Sequence, residues 1–292
     1  EVSKITSELD EGVVPVITGF QGMNELGDIT TLGRGGSDTT GVALAVALKA
    51  DECQIYTDVD GVFTTDPRVC NKARLLKEVS FEEMLELSSS GAKVLQLRAV
   101  EYASKFNLPL RVLSSFREGE GTLVQEEKNI MERPIVSGIS SIDSEAKLTI
   151  RGVPDVPGVA AKILSPISEA GIEVDVIVQN ISADNNTDFT FTVDKSDAKK
   201  AEDILQNTSM TLGGGSIEVD DEIAKISIVG RGMRAHAGVA SKMFQTLAKN
   251  EINISMITTS EIKISVVIKK DEMTKAVKAL HNAFDLDKEL DT

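Results

Sequence analysis

The 292-residue sequence predicts an α/β layer followed by two smaller α+β domains of the ferredoxin-like split type. Three observations carry that reading. Strand and helix signals alternate over residues 1–125, an internal repeat occupies the second half, and the length exceeds the roughly 150 residues of one ordinary domain.

Within the first half, the apolar run VVPVIT (13–18) predicts a strand, and the glycine-punctuated stretch before Ser37 predicts a helix from Ser37 to Lys49. QIYTD (54–58) reads as the next strand, in the order of a parallel sheet. Two helices, at about 80–88 and 93–105, precede the apolar strand LPLRVLSS, a turn at REGEG and a short strand TLV. The polar stretch QEEKNIMERP reads as a linker, with the domain boundary between 126 and 134, so the first domain spans 1–126. Beyond it, AKLTIRG (146–152) recurs as AKISIVG (224–230), and PGVAAKI (157–163) recurs as AGVASKM (237–243). Each copy continues through helix, strand, strand and helix, and is expected to close with a last strand. The two copies predict domains at 134–217 and 218–292, each an antiparallel sheet covered on one face by two helices.

Composition excludes whole classes of chemistry. Asp and Glu number 46 against 31 Lys and Arg, a net charge of −15 that repels phosphate backbones and anionic lipid, so neither nucleic acid nor membrane is an expected partner. No apolar run approaches the length of a membrane span, and the first residues lack a signal core, which predicts a cytoplasmic protein. Cys53 and Cys70 form neither a disulfide framework nor a metal motif. The two histidines are His236 and His281, so residues 1–235 cannot support Ser-His-Asp, Cys-His or His-metal chemistry, and no metal-ligating set of side chains is expected. His236 reads as a cap or packing residue and His281 as a half-buried helix residue.

Two segments nevertheless concentrate polar chemistry. Gly33, Gly35 and Gly36 stand before a helix opening Ser37-Asp38-Thr39-Thr40, where free N–H groups and the positive helix end face an anion. Arg34 adds a fork for carboxylate or phosphate. A tight loop with an ordinary cap would have the same composition. No Lys-Ser or Lys-Thr follows the glycines, so this is not a Walker loop. The second segment is QIYTDVDGVFTTDPR, where a strand ends at Thr57-Asp58 in a loop carrying Asp60, Asp66 and Arg68. Ligands of open α/β sheets bind beyond such strand ends, and Asp58 and Asp60 suit ribose hydroxyls or a magnesium-nucleotide. Asp-Gly and Asp-Pro are also plain turn formers. Lys93, at the start of the predicted 93–105 helix, is a candidate phosphate-binding cation, although lysines of this kind are more often solvated.

Taken together, GFQG (19–22), TTLGRGGSDTT (30–40), YTDVDGVFTTDPR (56–68), SFEEMLELSSSGAKVL (80–95) and LPLRVLSSF (108–116) resemble aspartate kinase, and the two repeats resemble its paired ACT domains. The resemblance implies part of an amino-acid kinase fold followed by two ACT domains. It implies ATP-dependent phosphorylation of the L-aspartate side-chain carboxylate, with magnesium, as the entry step to lysine, threonine and methionine synthesis. It places aspartate contacts on Arg34, Gly35, Gly36, Ser37 and Asp38. It places nucleotide contacts on Thr57, Asp58, Phe63, Arg68, Lys93 and Val94, with Arg34 and Lys93 as the catalytic cations. Effector contacts fall on Asp155, Glu173, Val174, Asp175 and Gln179 in the first repeat, and on Asn253, Ile254, Thr258 and Thr259 in the second. The effector is lysine, threonine or both, and the ACT pair is expected to assemble at least a dimer. The aspartate carboxylate, with a pKa of about 3.9, is already an anion at neutral pH and needs no histidine base.

One departure from the family stands out. The Lys-Phe-Gly-Gly-Thr-Ser strand and loop of aspartate kinases is absent from this sequence, as is the half-domain that follows it. The expectation is a chain cut inside the kinase domain and, in isolation, catalytically inactive. A non-catalytic amino-acid-binding regulatory chain, or a kinase acting on another amino acid, are the readings that compete with it.

Overall fold

In the computed structural model, residues 2–127, 135–181, 186–213, 215–236 and 238–288 are described. Helix α1 (Val2–Asp10) buries none of its residues. The run 13–18 forms no strand, contrary to expectation: Val14 and Val16 are 83% and 98% exposed, and among the described residues no strand offers them a ladder. A two-stranded antiparallel ribbon follows, β1 (Gln21–Met23) with β2 (Ile29–Thr31). Helix α2 (Gly36–Ala47) then leads into β3 (Cys53–Thr57). Next come β4 (Glu78–Ser80), α3 (Phe81–Ser89), α4 (Leu97–Phe106), β5 (Leu110–Ser114) and β6 (Thr122–Gln125).

The first sheet has the order β3-β5-β6-β4. It is mixed and not wholly parallel. Strands β3 and β5 run parallel, as do β4 and β6, but β5 and β6 are antiparallel. The Ser115–Gly121 connection is too short for a crossover and turns the chain straight back. Helices α2, α3 and α4 cover the sheet through Val42, Met84, Leu87 and Val100 against Leu110, Val112 and Val124, all essentially inaccessible. Burying each such side chain contributes about 1.5–3 kcal/mol. Helix α4 begins at Leu97, later than the predicted residue 93, so Lys93 lies in the turn between α3 and α4. Gln96 precedes that helix without a side-chain cap, which removes the usual sequence cue for its start.

The repeats fold as expected in their core elements. The first comprises β8 (Glu145–Pro154), α5 (Val159–Glu169), β9 (Val174–Ile181), β10 (Asn186–Asp194), α6 (Ala198–Thr211) and β11 (Ser216–Asp220), in an antiparallel sheet of order β11-β8-β10-β9. The second comprises β12 (Ile223–Val229), α7 (Val239–Lys249), β13 (Met256–Thr259), β14 (Lys263–Lys269) and α8 (Met273–Ala283). Residues 171–180 and 251–260 show the same order of buried, half-buried and exposed positions, so the repeat extends from sequence to packing.

The closing strand of the second sheet departs from the expected order. Strand β7 (Gly138–Ile142) pairs antiparallel with β12, giving β13-β14-β12-β7, although it precedes the first repeat in sequence. The first repeat is thus inserted between two strands of the second domain. The segment 134–217 contains a strand of the other sheet, and β11 runs past residue 217 into the segment assigned to the second domain. Most of the expected 126–134 linker lies outside the described residues.

Strand β12 is buried on both faces. Ala224, Ile226 and Ile228 face α7 and α8 in the second repeat's core. On the opposite face, Ile223 joins Val176 of β9 in a small apolar cluster, and Val229 belongs to the core of the first domain. Lys225, between them, is 3% exposed and pairs with Glu145 of β8 at 2.5 Å and with Asp175 of β9.

Candidate functional site

Chain direction brings four loops to one end of the first sheet. A short turn after Ala47 reverses the chain into β3, so the N-terminus of α2 lies beside the C-terminal end of that strand, and Gly41 approaches Cys53 and Ile55. Helix α4 enters β5 in the same sense, and β5 is parallel to β3. The loops before α2 (33–36), before α4 (91–96), after β3 (58–68) and after β5 (115–119) therefore share the end at which α/β sheets bind ligands.

Gly35 sits at φ 74° as the N-cap of α2, and a Cβ there would lie 2.0 Å from Gln96 Cγ. Only glycine allows this approach. The contact joins the Arg34–Asp38 loop to the Lys93–Gln96 turn. Arg34 and Ser37 are exposed, Gly36 is buried, and Asp38 is half-buried. Burial pushes the Asp38 carboxyl up, while a hydrogen bond from the Gln96 backbone works the other way. No side chain caps α2; the Gly36 N–H donates to the Gly33 carbonyl at 3.0 Å, so the N–H groups of Ser37 and Asp38 are the ones placed to meet an anion.

Beyond β3, the Ser115 N–H donates to the Thr57 carbonyl at 2.7 Å, and Arg117 meets Asp60 at 3.3 Å, joining the two strand-end loops. A cleft of about 450 Å³ opens beside them, lined by Tyr56, Ser114, Ser115, Phe116 and Arg117. In the sequence only the turn REGEG marks this place; the lining residues stand out in the folded chain, where the aromatic Phe116 and Tyr56 are 79% and 61% exposed. Arg68 is exposed but already has a partner. Its guanidinium grips Asp66 through Nε and Nη2 at 2.8–3.1 Å, which holds the Asp66 carboxyl below its ordinary range. Phe63 is fixed by a bridge to Leu75. Lys93 is exposed, Val94 is half-buried, and the Lys93 charge lowers the Asp194 pKa behind the larger effect of Ser196. A Cβ on neighbouring Gly91 would lie 2.6 Å from the Ser141 carbonyl, so this turn rests directly on β7.

The first repeat separates its predicted effector positions. Asp155 follows β8 at the end where Val153 and Ile181 flank Thr187, whereas Glu173, Val174 and Asp175 lie at the opposite end, where Val174 meets Val193. Gln179 lies between the two ends, across from Phe189. In the second repeat, Asn253 and Ile254 precede β13, and Thr258 and Thr259 lie on it. Asp155, Glu173, Gln179, Asn253 and Thr259 are exposed.

The 58–68 loop continues into the second repeat. Thr64, fully buried, hydrogen-bonds through its Oγ1 to His281 Nε2 of α8 at 2.9 Å. His281 is 1% exposed, and burial pushes its pKa down; Asp287 opposes the shift, while Lys72 and Arg74 add to it. The unfolded chain then binds a proton at about pH 6.5 that the folded chain refuses, so stability is lost as pH falls below that value and levels off below the folded pKa. Denaturant unfolding between pH 7.5 and 5 is expected to show this loss, and His281→Gln to remove its share.

Sequence profiles of the amino acid kinase family match residues 1–114, and those of the ACT domain match residues 148–208 and 226–284. The chain is 64% identical over 285 residues to an aspartate kinase of Pseudomonas putida, covering 97% of this chain and 69% of that protein. It is 49% identical over 288 residues to an aspartokinase of Mycolicibacterium smegmatis, covering 97% and 68%. Among solved structures, Clostridium acetobutylicum aspartate kinase aligns with TM-score 0.84 at 27% identity, over 97% of this chain and 66% of that one. E. coli aspartokinase III in complex with aspartate and ADP aligns with TM-score 0.78 at 30% identity, over 96% and 62%. The same E. coli enzyme in complex with lysine and aspartate aligns with TM-score 0.76 at 29% identity, over 97% and 62%. The chain therefore spans 62–66% of these three solved structures, and it belongs to the aspartate kinase family.

Proposed function

We propose that this chain carries nucleotide and aspartate loops of an enzyme that transfers the γ-phosphoryl group of ATP to the side-chain carboxylate of L-aspartate, under feedback from lysine, threonine or both. The convergence of the 33–36, 91–96, 58–68 and 115–119 loops at one sheet end is the observation that carries the reading. The complexes of E. coli aspartokinase III with aspartate and ADP, and with lysine and aspartate, support it.

Arg34 and the open N-terminus of α2 hold the aspartate carboxylates, with Gly35, Gly36, Ser37 and Asp38 shaping that end. Thr57, Asp58, Phe63, Arg68, Lys93 and Val94 would hold the nucleotide, and Asp58 and Asp60 offer the hard oxygen ligands that a magnesium-nucleotide accepts. Bound magnesium-ATP supplies the transferable phosphoryl group. What the residues contribute is position and charge neutralisation between two anions, the main requirements of phosphoryl transfer. The edge strands β9 and β13 suit pairing of ACT sheets between copies.

Calorimetric titration of the chain with aspartate, and separately with magnesium-ATP, tests the assignment. Replacing Arg34 by Ala is expected to weaken aspartate binding by about 1.5–3 kcal/mol, the worth of a charge-assisted hydrogen bond, and to leave nucleotide affinity unchanged. Equal aspartate binding by both proteins would remove Arg34 from the site.

A further inference from the structure

We propose that His281, on α8 of the second ACT domain, is a positioning residue for the 57–68 nucleotide loop, acting through Thr64. The inference rests on the nucleotide reading of that loop given above. Thr64 is a four-way node. Its N–H donates to the Arg74 carbonyl at 2.8 Å, and its carbonyl accepts from Ile139 N–H at 2.7 Å. Its hydroxyl accepts from Arg74 N–H at 3.0 Å and meets His281 Nε2 at 2.9 Å.

The need to place a buried hydroxyl hydrogen sets the direction of the last bond. Of the two partners of the Thr64 hydroxyl among the described residues, the Arg74 amide can only donate, so His281 Nε2 is the acceptor open to the O–H. The arrangement that satisfies the hydroxyl has the O–H donate to a bare Nε2, with the imidazole neutral and its hydrogen on Nδ1. Two further ties run the same way. Cys70, 4% exposed, is packed in the core that holds Val277 and Leu280, and Lys72 meets Asp287 at 3.6 Å. The nucleotide loop and the residues that follow it are thereby seated against helix α8 at a polar point, Thr64, and an apolar one, Cys70 just past the loop, with Phe63 immediately before the polar one.

Replacing His281 by Leu removes the acceptor and leaves the Thr64 hydroxyl proton buried without a partner. Replacing His281 by Gln offers a carbonyl oxygen in its place. Hydrogen exchange of amides 62–70, measured without nucleotide, is expected to speed up about tenfold in His281→Leu, the factor set by one buried hydrogen bond. Magnesium-ATP affinity is expected to fall by about the same factor while aspartate affinity holds, and His281→Gln to restore both. Thr64→Val, which keeps the shape and loses the hydroxyl, repeats the measurement from the other side should the leucine variant not fold. Unchanged exchange in the loop, equal acceleration throughout both ACT sheets, unchanged nucleotide affinity, or failure of Gln to rescue would each overturn the proposal. A native chain that takes up no magnesium-ATP overturns the nucleotide reading itself, a result distinct from a native chain that binds while its variants bind equally well.

Discussion

Lys225→Met is expected to lower unfolding stability by about 3–5 kcal/mol, the usual penalty for removing one partner of a buried ion pair. Lys225 lies in β12 with 3% exposure, and its ammonium is shared between Glu145 and Asp175 of the first repeat. Glu145 is itself 7% exposed, and burial already pushes its pKa up against the pull of Lys225. Without the ammonium, Glu145 must remain charged in an apolar setting or take up a proton. A folded pKa above the unfolded one means that stability is lost as pH rises, so the variant should suffer more at pH 7.5 than at pH 4.5. The double variant Lys225→Met with Glu145→Gln should recover most of the loss. Urea unfolding followed by circular dichroism measures all three proteins, and a single-variant loss below about 1 kcal/mol would mean that the pair is effectively solvated.

Glu83→Ala is expected to cost about 2–4 kcal/mol, because one carboxylate serves a helix cap and a domain junction together. Its Oε2 accepts from the Ser80 N–H at 3.2 Å and the Ser80 hydroxyl at 2.7 Å, completing the capping box of α3. Its Oε1 accepts from the Ser137 hydroxyl at 2.6 Å, next to β7, and from the Arg231 N–H at 3.2 Å, next to β12. Alanine leaves buried donors unmatched on three separate segments. Neighbouring contacts share the load: Glu82 meets Arg231 at 2.8 Å and Glu86 meets Lys263 at 2.7 Å. The variant should therefore loosen the seat of the first domain on the second repeat before either core melts, and limited proteolysis at that junction should rise with the drop in unfolding stability. Native-like resistance together with native-like stability would show that Glu83 caps α3 and does nothing more.

Much of the architecture was legible because it is periodic. AKLTIRG and AKISIVG carry the same alternation, and their helices carry the same spacing of apolar residues, so local pattern and final burial agree. The glycines before α2 were legible for a related reason, since few residues other than glycine tolerate the backbone that Gly35 adopts. What escaped depends on distant partners. VVPVIT has strand composition and no ladder to join, and nothing in GISSI says that its sheet lies beyond an intervening domain. Lys93 was placed on a helix because the start of α4 lacks a capping side chain. Glu83, Lys225 and His281 look like solvated or half-buried residues until the surfaces that enclose them are assembled.

The detour taken by β7 also has a consequence for how the molecule is made. Residues 138–142 leave the ribosome ahead of the first repeat, while their partner β12 begins only at Ile223. During synthesis the inserted repeat can complete its own sheet, since all four of its strands are contiguous in sequence. Strand β7 meanwhile waits with an open edge, and its brevity and its serines at 140 and 141 make that edge a poor template for aggregation. A nascent chain that has emerged just short of Ile223 therefore carries one finished ACT domain and a single strand of the other, and the second domain cannot form until all its elements other than β7 have followed.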